Sequence, residues 1–140
     1  LLTTLVNCKI AGTAVGEISM AVLCNLTHDI CCQLDLLEDT GVLQHVLVQA
    51  FSHSQVLQRH VAGTLGNLTH VLESTPTGGR LANPGVPTIC SVAKRLVEVD
   101  DQSVSFRSSA ILYGLTRKPD FCEIFADLTG VSRMLLKLFR

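Results

Sequence analysis

The apolar residues of this chain recur at the spacing of one face of a helix. In the segment 42–51 they fall three or four positions apart, at Val42, Leu43, Val46, Leu47 and Ala50. The segment 55–70 repeats the pattern, with Val56, Leu57, Val61, Leu65 and Leu68. Such spacing predicts amphipathic helices, whereas a half-buried strand would alternate apolar and polar residues, which no stretch does cleanly. We therefore predict an all-α chain.

One stretch of the chain is predicted to form three consecutive helices. A short helix over 30–38 begins after Asp29, whose side chain suits the N-cap position, and we expect Gly41 to end it. The second helix covers 42–51. Three polar residues then break the chain before the third and longest helix, at 55–70.

Two sequence markers recur along the chain with nearly the same period. The segment 21–28 matches 63–70, with Asn-Leu-Thr-His identical in both and the asparagines 42 residues apart. A third copy, at 110–117, has glycine in place of asparagine. The second marker is a Gly-Val pair, whose glycines, Gly41, Gly85 and Gly130, are 44 and 45 residues apart. Two independent markers with one period indicate an internal repeat.

These motifs resemble the armadillo repeat family, in which three-helix units of about 42 residues stack into a right-handed superhelix. The family's third helix typically ends in a motif like Ala-Leu-x-Asn-Leu, which stands here as Ala21-Val22-Leu23-Cys24-Asn25-Leu26. Its second helix typically opens as Gly41-Val42 and Gly130-Val131 do here. The resemblance covers essentially the whole chain and implies an α-solenoid. HEAT repeats are the nearest alternative, and they would show two helices per unit.

The phase of the repeat divides the chain into four units. Residues 1–28 hold the second and third helices of a partial armadillo repeat, 29–70 form a complete repeat, 71–117 form a longer one, and 118–140 hold the first two helices of a last partial repeat. In the long unit the segment 73–87 contains three prolines and three glycines. Such a sequence sustains little helix, so we predict an exposed loop there.

Composition narrows the classes of function. The chain has 140 residues, of which 47% are hydrophobic and 16% charged, and its net charge is −1. The apolar content excludes a disordered chain, and the balanced charge argues against a polycationic nucleic-acid binder. No apolar run approaches the roughly 18 residues of a membrane span. Because the first residues lack a signal peptide and an initiator Met, we expect a slice of a longer cytoplasmic protein, with a nuclear location left open.

The cysteines are expected to be reduced thiols in the core. They stand among Leu, Val and Ile without a CxxC pair, which argues against a structural zinc site and a disulfide framework. They are Cys8, Cys24, Cys31, Cys32, Cys90 and Cys122. Reduced thiols favour an intracellular compartment.

The armadillo resemblance implies a concave face, built mainly by the third helices, into which Asn25 and Asn67 project. A carboxamide both donates and accepts hydrogen bonds, so it can pair with the backbone of a bound peptide. The alternative is that the asparagines tie adjacent helices together. Basic residues stand one and two helical turns from the asparagine position. The predicted peptide-binding residues are Asn25, Asn67, Arg59, His60, His70, Arg107 and Arg117.

The predicted partner is an extended, acidic protein segment. The acidic residues of the chain, Asp100 and Asp101 among them, are expected on first helices and connecting loops, away from the arginines. The alternative to a basic binding face is that its three arginines line up by chance. In nuclear-import adaptors of the family, a tryptophan stands one turn before the asparagine. Here Ala21, Gly63 and Ala110 occupy those positions, and the chain has no Trp. Recognition of a basic nuclear signal is therefore not expected.

No motif in the chain indicates catalysis. Gly12-Thr13-Ala14-Val15-Gly16 lacks the Gly-Lys-Ser/Thr ending of a phosphate loop, and we expect no enzyme activity, no cofactor and no metal. The leading hypothesis is a non-catalytic protein-binding scaffold or adaptor. Two alternatives stay open: a structural section that assembles through the exposed ends of the solenoid, and a regulator of a GTPase.

Overall fold

A computed structural model describes residues 14–74 and 85–117 of the chain. These residues form six helices and no strand: α1 Ala14–Leu26, α2 Ile30–Glu38, α3 Thr40–Gln49, α4 Gln55–Ser74, α5 Gly85–Val97 and α6 Gln102–Thr116. The prediction of an all-α chain is confirmed for this part of the sequence. The predictions for residues 1–13, for most of the loop at 73–87 and for the unit at 118–140 lie outside the described residues.

Helix α4 is the centre of the fold, because it lies between α1 and α6 and packs closely against both. Helices α2 and α3 also contact α4, while α5 packs on α6. The core between the helices is built from large side chains that are almost completely buried: Leu23, Leu36, Leu57, Leu65, Leu68, Leu72, Ile89, Leu96, Ile111, Leu112 and Leu115. Full burial of one such side chain contributes about 1.5–3 kcal/mol, so this apolar core holds the helices together.

The apolar faces predicted for α3 and α4 are confirmed with one exception. The five apolar residues predicted for the α3 face, from Val42 to Ala50, are all buried. In α4, Leu57, Leu65 and the other predicted core residues are buried, but Val56 is 40% exposed. Val56 lies in the first turn of α4, at the edge of the packed layer.

Aspartate side chains begin three of the described helices. The Oδ1 atom of Asp29 accepts from the backbone N–H groups of Cys31 and Cys32, at 2.8 and 3.3 Å. Asp101 does the same at the start of α6, accepting from Ser103 and Val104. These bonds satisfy N–H groups that the first turn of a helix cannot pair internally. The predicted cap at Asp29 is confirmed.

The prediction that Gly41 ends α2 is wrong, because Asp39 both ends that helix and begins the next. The backbone N–H of Asp39 donates to the carbonyl oxygen of Asp35 at 2.9 Å. Its Oδ1 atom accepts from the N–H groups of Gly41 and Val42, each at 3.1 Å. Gly41 therefore lies in the first turn of α3, which starts two residues earlier than predicted.

The predicted loop at 73–87 is wrong at both of its ends. Helix α4 continues to Ser74, four residues past the expected end at His70, and α5 begins at Gly85. Pro87 stands in the first turn of α5, where a missing N–H group costs no internal hydrogen bond. A proline at this position is compatible with the start of a helix, whereas the loop prediction treated Pro87 only as a helix breaker.

The cysteines only partly match the prediction of core thiols. Cys24 and Cys90 are buried and Cys32 is half-buried, but Cys31 in the first turn of α2 is exposed. All four are free thiols. Burial raises the pKa of the Cys90 thiol to about 11. Cys8 and Cys122 lie outside the described residues.

Candidate interaction surface

The seven predicted peptide-binding residues lie on or beside three neighbouring helices. Asn25 is in the last turn of α1, Arg107 is in α6, and Arg117 follows the last residue of α6. The other four are on α4. His60 and Asn67 are half-buried, and the other five predicted residues are exposed. Their role in binding stays a prediction, and their contacts divide them into separate groups.

Asn67 is bound to the preceding sequence repeat. Its Nδ2 donates to the carbonyl oxygen of Cys24 at 3.3 Å and to Oγ1 of Thr27 at 3.1 Å. Thr27 is completely buried, and its carbonyl oxygen accepts from Nε2 of Gln33 at 2.6 Å. These bonds satisfy acceptors at the C-terminal end of α1, which that helix cannot pair internally. Asn67 therefore ties α4 to the end of α1 through its two hydrogen bonds.

A pocket of about 310 Å³ lies beside this tie. It is lined by His28, Ile30, Gln33, Asn67, His70 and Val71. Its two histidines occupy the same position in the two Asn-Leu-Thr-His motifs. The pocket therefore brings together Asn67 and His70, two of the predicted residues, with one residue, His28, that the site prediction did not include. Asn25 is exposed, and its side chain forms no hydrogen bond with the residues that the structure describes.

Arg59 is paired with Asp101, an acid that was predicted to lie away from the arginines. Its Nη2 lies 2.7 Å from Oδ2 of Asp101, and its Nε donates to the same oxygen at 2.8 Å. The hydrogen bond with Arg59, more than any other contact, holds the pKa of the Asp101 carboxyl below its usual value, and the N–H of Val104 acts in the same direction. The expected separation of acids and arginines is therefore wrong at Asp101, and the charge of Arg59 is largely balanced.

Arg107 crosses from α6 to the middle of α4, where it lies against Gly63. A Cβ atom on Gly63 would be 2.8 Å from Nη1 of Arg107 and 2.7 Å from Sγ of Cys24. Both distances are shorter than normal van der Waals contact, so a residue with a side chain would displace one neighbour or the other. Gly63 thus allows side chains of α1 and α6 to approach the same turn of α4.

Two further charged or titratable residues lie next to this contact. Burial lowers the pKa of the His60 imidazole, and the positive charge of Arg107 lowers it further, while Glu17 acts in the opposite direction. Glu17 is itself bound, because its Oε1 accepts from the hydroxyl of Ser54 at 2.6 Å. We call Glu17, Cys24, His60, Gly63 and Arg107 the Arg107 cluster. It joins residues of three sequence repeats.

Sequence reasoning missed several of these partners. Asp101 and Arg59 are 42 residues apart, which is the spacing of the two asparagines. The repeat period could have been used to pair them, since residues one period apart lie on neighbouring units. Ser54 was taken as part of a break in the chain, although it also begins α4 by accepting from Leu57. Nothing in the sequence pattern indicated that Arg107 and Cys24 both approach Gly63.

Within residues 14–74 and 85–117, no three side chains of His, Cys, Asp or Glu come together in a way that could hold a metal ion. None of the described helices has both the length and the apolar content needed to cross a membrane. Comparison with known proteins found no match to a protein family, a curated protein or a solved structure.

Proposed function

We propose that this protein is a non-catalytic interaction scaffold of the armadillo type. The proposal is supported by the helix order of its complete unit, in which α2, α3 and α4 contain 9, 10 and 20 residues. Three helices of which the last is the longest fit an armadillo unit better than a two-helix HEAT unit. The helices that carry the asparagine motif or its third copy, α1, α4 and α6, are neighbours, as a stacked repeat requires.

The proposed partner is an extended acidic segment of another protein, lying across α1, α4 and α6. The observation that carries this proposal is the state of Arg107. Arg107 is an exposed residue, and its guanidinium forms no ion pair or hydrogen bond with the described residues, in contrast to that of Arg59. A guanidinium offers five donors in a fixed plane and binds carboxylates with two of them. An acidic side chain is therefore the group that Arg107 is best suited to bind.

Selection from a displayed library of random peptides on the full chain tests this function. We expect the selected peptides to be enriched in Asp and Glu, and their affinity to fall as salt is raised. Arg107→Glu should weaken binding at least about tenfold, which is about 1.4 kcal/mol. Arg95→Glu is the matched control, because Arg95 is an exposed arginine on α5 that stacks over Phe51. Selected peptides without acidic enrichment, or equal effects of both variants, would contradict the proposal.

A second candidate function is self-assembly, and exposed aromatic residues on α6 favour it. Phe106 and Tyr113 are 74% and 69% exposed, and they stand seven residues apart, on the same side of the helix. Sedimentation velocity over a range of protein concentrations tests it. Growth of the sedimentation coefficient with concentration, abolished in Phe106→Ser/Tyr113→Ser, would support assembly. A constant monomeric value would leave the adaptor as the proposed function.

A further inference from the structure

The Arg107 cluster contains a cation, Arg107, that forms no ion pair with the residues that the structure describes. Helix interiors disfavour glycine by about 1 kcal/mol relative to alanine, yet α4 has Gly63 where Arg107 and Cys24 meet it. The absence of a Cβ atom lets the guanidinium lie against the backbone of α4. Arg107 is thereby positioned over the turn that follows His60, instead of extending into solvent.

Among the residues that the structure describes, no acid forms an ion pair with Arg107. Arg59, the residue before His60, is bound to Asp101. Glu17, from α1, is the acid that acts on His60; its Oε1 accepts from the neutral hydroxyl of Ser54, so its negative charge remains. The Cys24 thiol, also from α1, is kept protonated by burial, which raises its pKa against the opposing effects of Thr64 and Arg107. The charged groups that act on His60 are thus Arg107 from α6 and Glu17 from α1.

We propose that Arg107, lying over Gly63, and the His60 ring one turn earlier bind a single oxyanion, a carboxylate or a phosphoryl group, and that His60 takes up a proton from solvent as the oxyanion enters. This oxyanion subsite rests on the proposed function, and its linked protonation would regulate binding of the acidic partner. Burial, and next the charge of Arg107, lower the pKa of the imidazole and so favour its neutral form. An oxyanion between the two side chains reverses this balance, because a nearby negative charge favours the protonated ring. The added proton then gives the oxyanion a second charged donor.

Binding and protonation are linked, so the affinity depends on pH. Each unit by which the oxyanion raises the pKa of His60 corresponds to up to about tenfold tighter binding at low pH than at high pH. Glutamate side chains stay ionised between about pH 5.5 and 8, since their pKa is about 4.3. Over that range, a change in affinity for a Glu-containing peptide reports on the protein rather than on the peptide.

The first test uses small anions and does not depend on a partner. The pKa of each histidine in the full chain is measured by NMR with acetate, with inorganic phosphate, and with chloride at equal ionic strength. We expect acetate or phosphate to raise the pKa of His60 and leave that of exposed His53 unchanged, and the rise to disappear in Arg107→Gln. A rise with acetate or with phosphate alone identifies the preferred oxyanion. No rise, an equal rise at His53, or a rise that persists in Arg107→Gln would overturn the subsite.

The second test separates the subsite from the proposed function. A Glu-containing peptide from the library selection should bind wild type about tenfold more tightly at pH 5.5 than at pH 8, whereas binding to His60→Gln should change much less with pH. Equal pH dependence in both proteins would overturn the inference while leaving the adaptor function intact. If the selection yields no binder, the adaptor function fails, and the NMR titration still decides whether the subsite exists.

A further variant tests the positioning of Arg107 with its charge intact. Gly63→Ala combined with Cys24→Ala removes the clash with the thiol but leaves the new methyl group 2.8 Å from Nη1 of Arg107, which is closer than van der Waals contact. We expect this double variant to lose the anion-dependent rise of the His60 pKa. The matched control is Gly66→Ala with Cys24→Ala, because the nearest atom to the new methyl group is Cγ1 of Ile111, at 4.0 Å. An unchanged rise in the Gly63 variant would contradict the role given to Gly63.

Discussion

The two carboxylate oxygens of Asp101 have different partners, and Oδ2 is the one that binds Arg59. Both Nε and Nη2 of Arg59 bind that oxygen, while Oδ1 accepts the N–H groups of Ser103 and Val104. A single side chain thus begins α6 and links it to α4. The interaction between these helices depends on a loop residue as well as on the apolar core.

Asp101→Asn should lower the melting temperature at neutral pH. The amide oxygen can still accept from the first turn of α6, but an NH₂ group then replaces the oxygen that binds Arg59. Thermal unfolding followed by circular dichroism measures the effect. Asp100→Asn is the control, because Asp100 is an exposed aspartate next to Asp101 in the chain. We expect this control to leave the melting temperature nearly unchanged. Equal melting temperatures for the two variants would show that the pair adds nothing to stability.

The contribution of Asp101 should also depend on pH in a defined direction. Its pKa is lowered in the folded chain, chiefly by Arg59, so its stabilisation is present above the ordinary Asp pKa of about 3.9 and is lost as the pH falls through the lower folded value. The difference in melting temperature between wild type and Asp101→Asn should therefore shrink on acidification below about pH 3.9. A difference that stays constant to low pH would assign the effect of the variant to something other than the carboxylate charge.

The two glycines in the middle of α4 should respond oppositely to alanine. Gly66→Ala should stabilise the fold by about 1 kcal/mol, because it replaces a poor helix former where the new methyl group makes only an ordinary contact. Gly63→Ala should destabilise by about 1–3 kcal/mol, because the methyl group meets the buried thiol of Cys24. Urea unfolding of both variants gives the two free energies. Equal stabilisation by both would mean that the neighbours of Gly63 move aside freely.

Asn67→Ala should cost about 1–2 kcal/mol of stability, because it leaves buried acceptors at the end of α1 with fewer donors. Asn25→Ala is the matched control on the equivalent position, and as an exposed substitution it should stay within about 0.5 kcal/mol of wild type. A double-mutant cycle with Thr27→Val isolates the bond between Asn67 and Thr27. Additive effects in that cycle would show that the bond contributes nothing. A loss of peptide binding in Asn67→Ala must be compared with the stability of the two variants, since lower stability alone can reduce peptide binding.

The described cysteines should react with alkylating reagents at very different rates. Cys31 is exposed and should be modified first. Cys90 is buried, and with a pKa of about 11 only about one thiol in a thousand is a thiolate at pH 8. Mass spectrometry of proteolytic fragments after timed alkylation, on a chain with Cys8→Ser and Cys122→Ser, gives the rates. Rapid modification of Cys90 in folded protein would mean that α5 opens often.

The helices and their buried faces were predictable because apolar spacing alone determines them. Residues such as Leu57 and Leu65 recur at helical intervals, and burying that stripe is the strongest stabilising effect available to the chain. The boundaries were less predictable. Asp39 shows why: one short acidic side chain can end a helix and begin another, and this overrides the usual preference for glycine at a helix end.

The candidate site was predictable only as a set of positions. Helical periodicity placed Asn67, Arg59 and Arg107 on neighbouring third helices, but their partners depend on which side chains of adjacent units meet. In the part of the chain that the structure describes, Arg59 is bound by an aspartate and Arg107 is not, although both are arginines at similar distances from the asparagine position. That difference comes from the three-dimensional arrangement of α4 and α6, which a one-dimensional pattern does not contain.

The side-chain bonds that link the units have a consequence for folding kinetics. They join residues 37, 40, 42 and 43 positions apart in the chain, so each closes a loop of about one sequence repeat. The length-dependent part of that closure entropy is about 3 kcal/mol. In the proposed repeat architecture this separation follows the repeat and not the length of the protein, so further repeats would add mass without raising the absolute contact order. A longer version of this chain should therefore pair each new unit at the same entropic cost as the last.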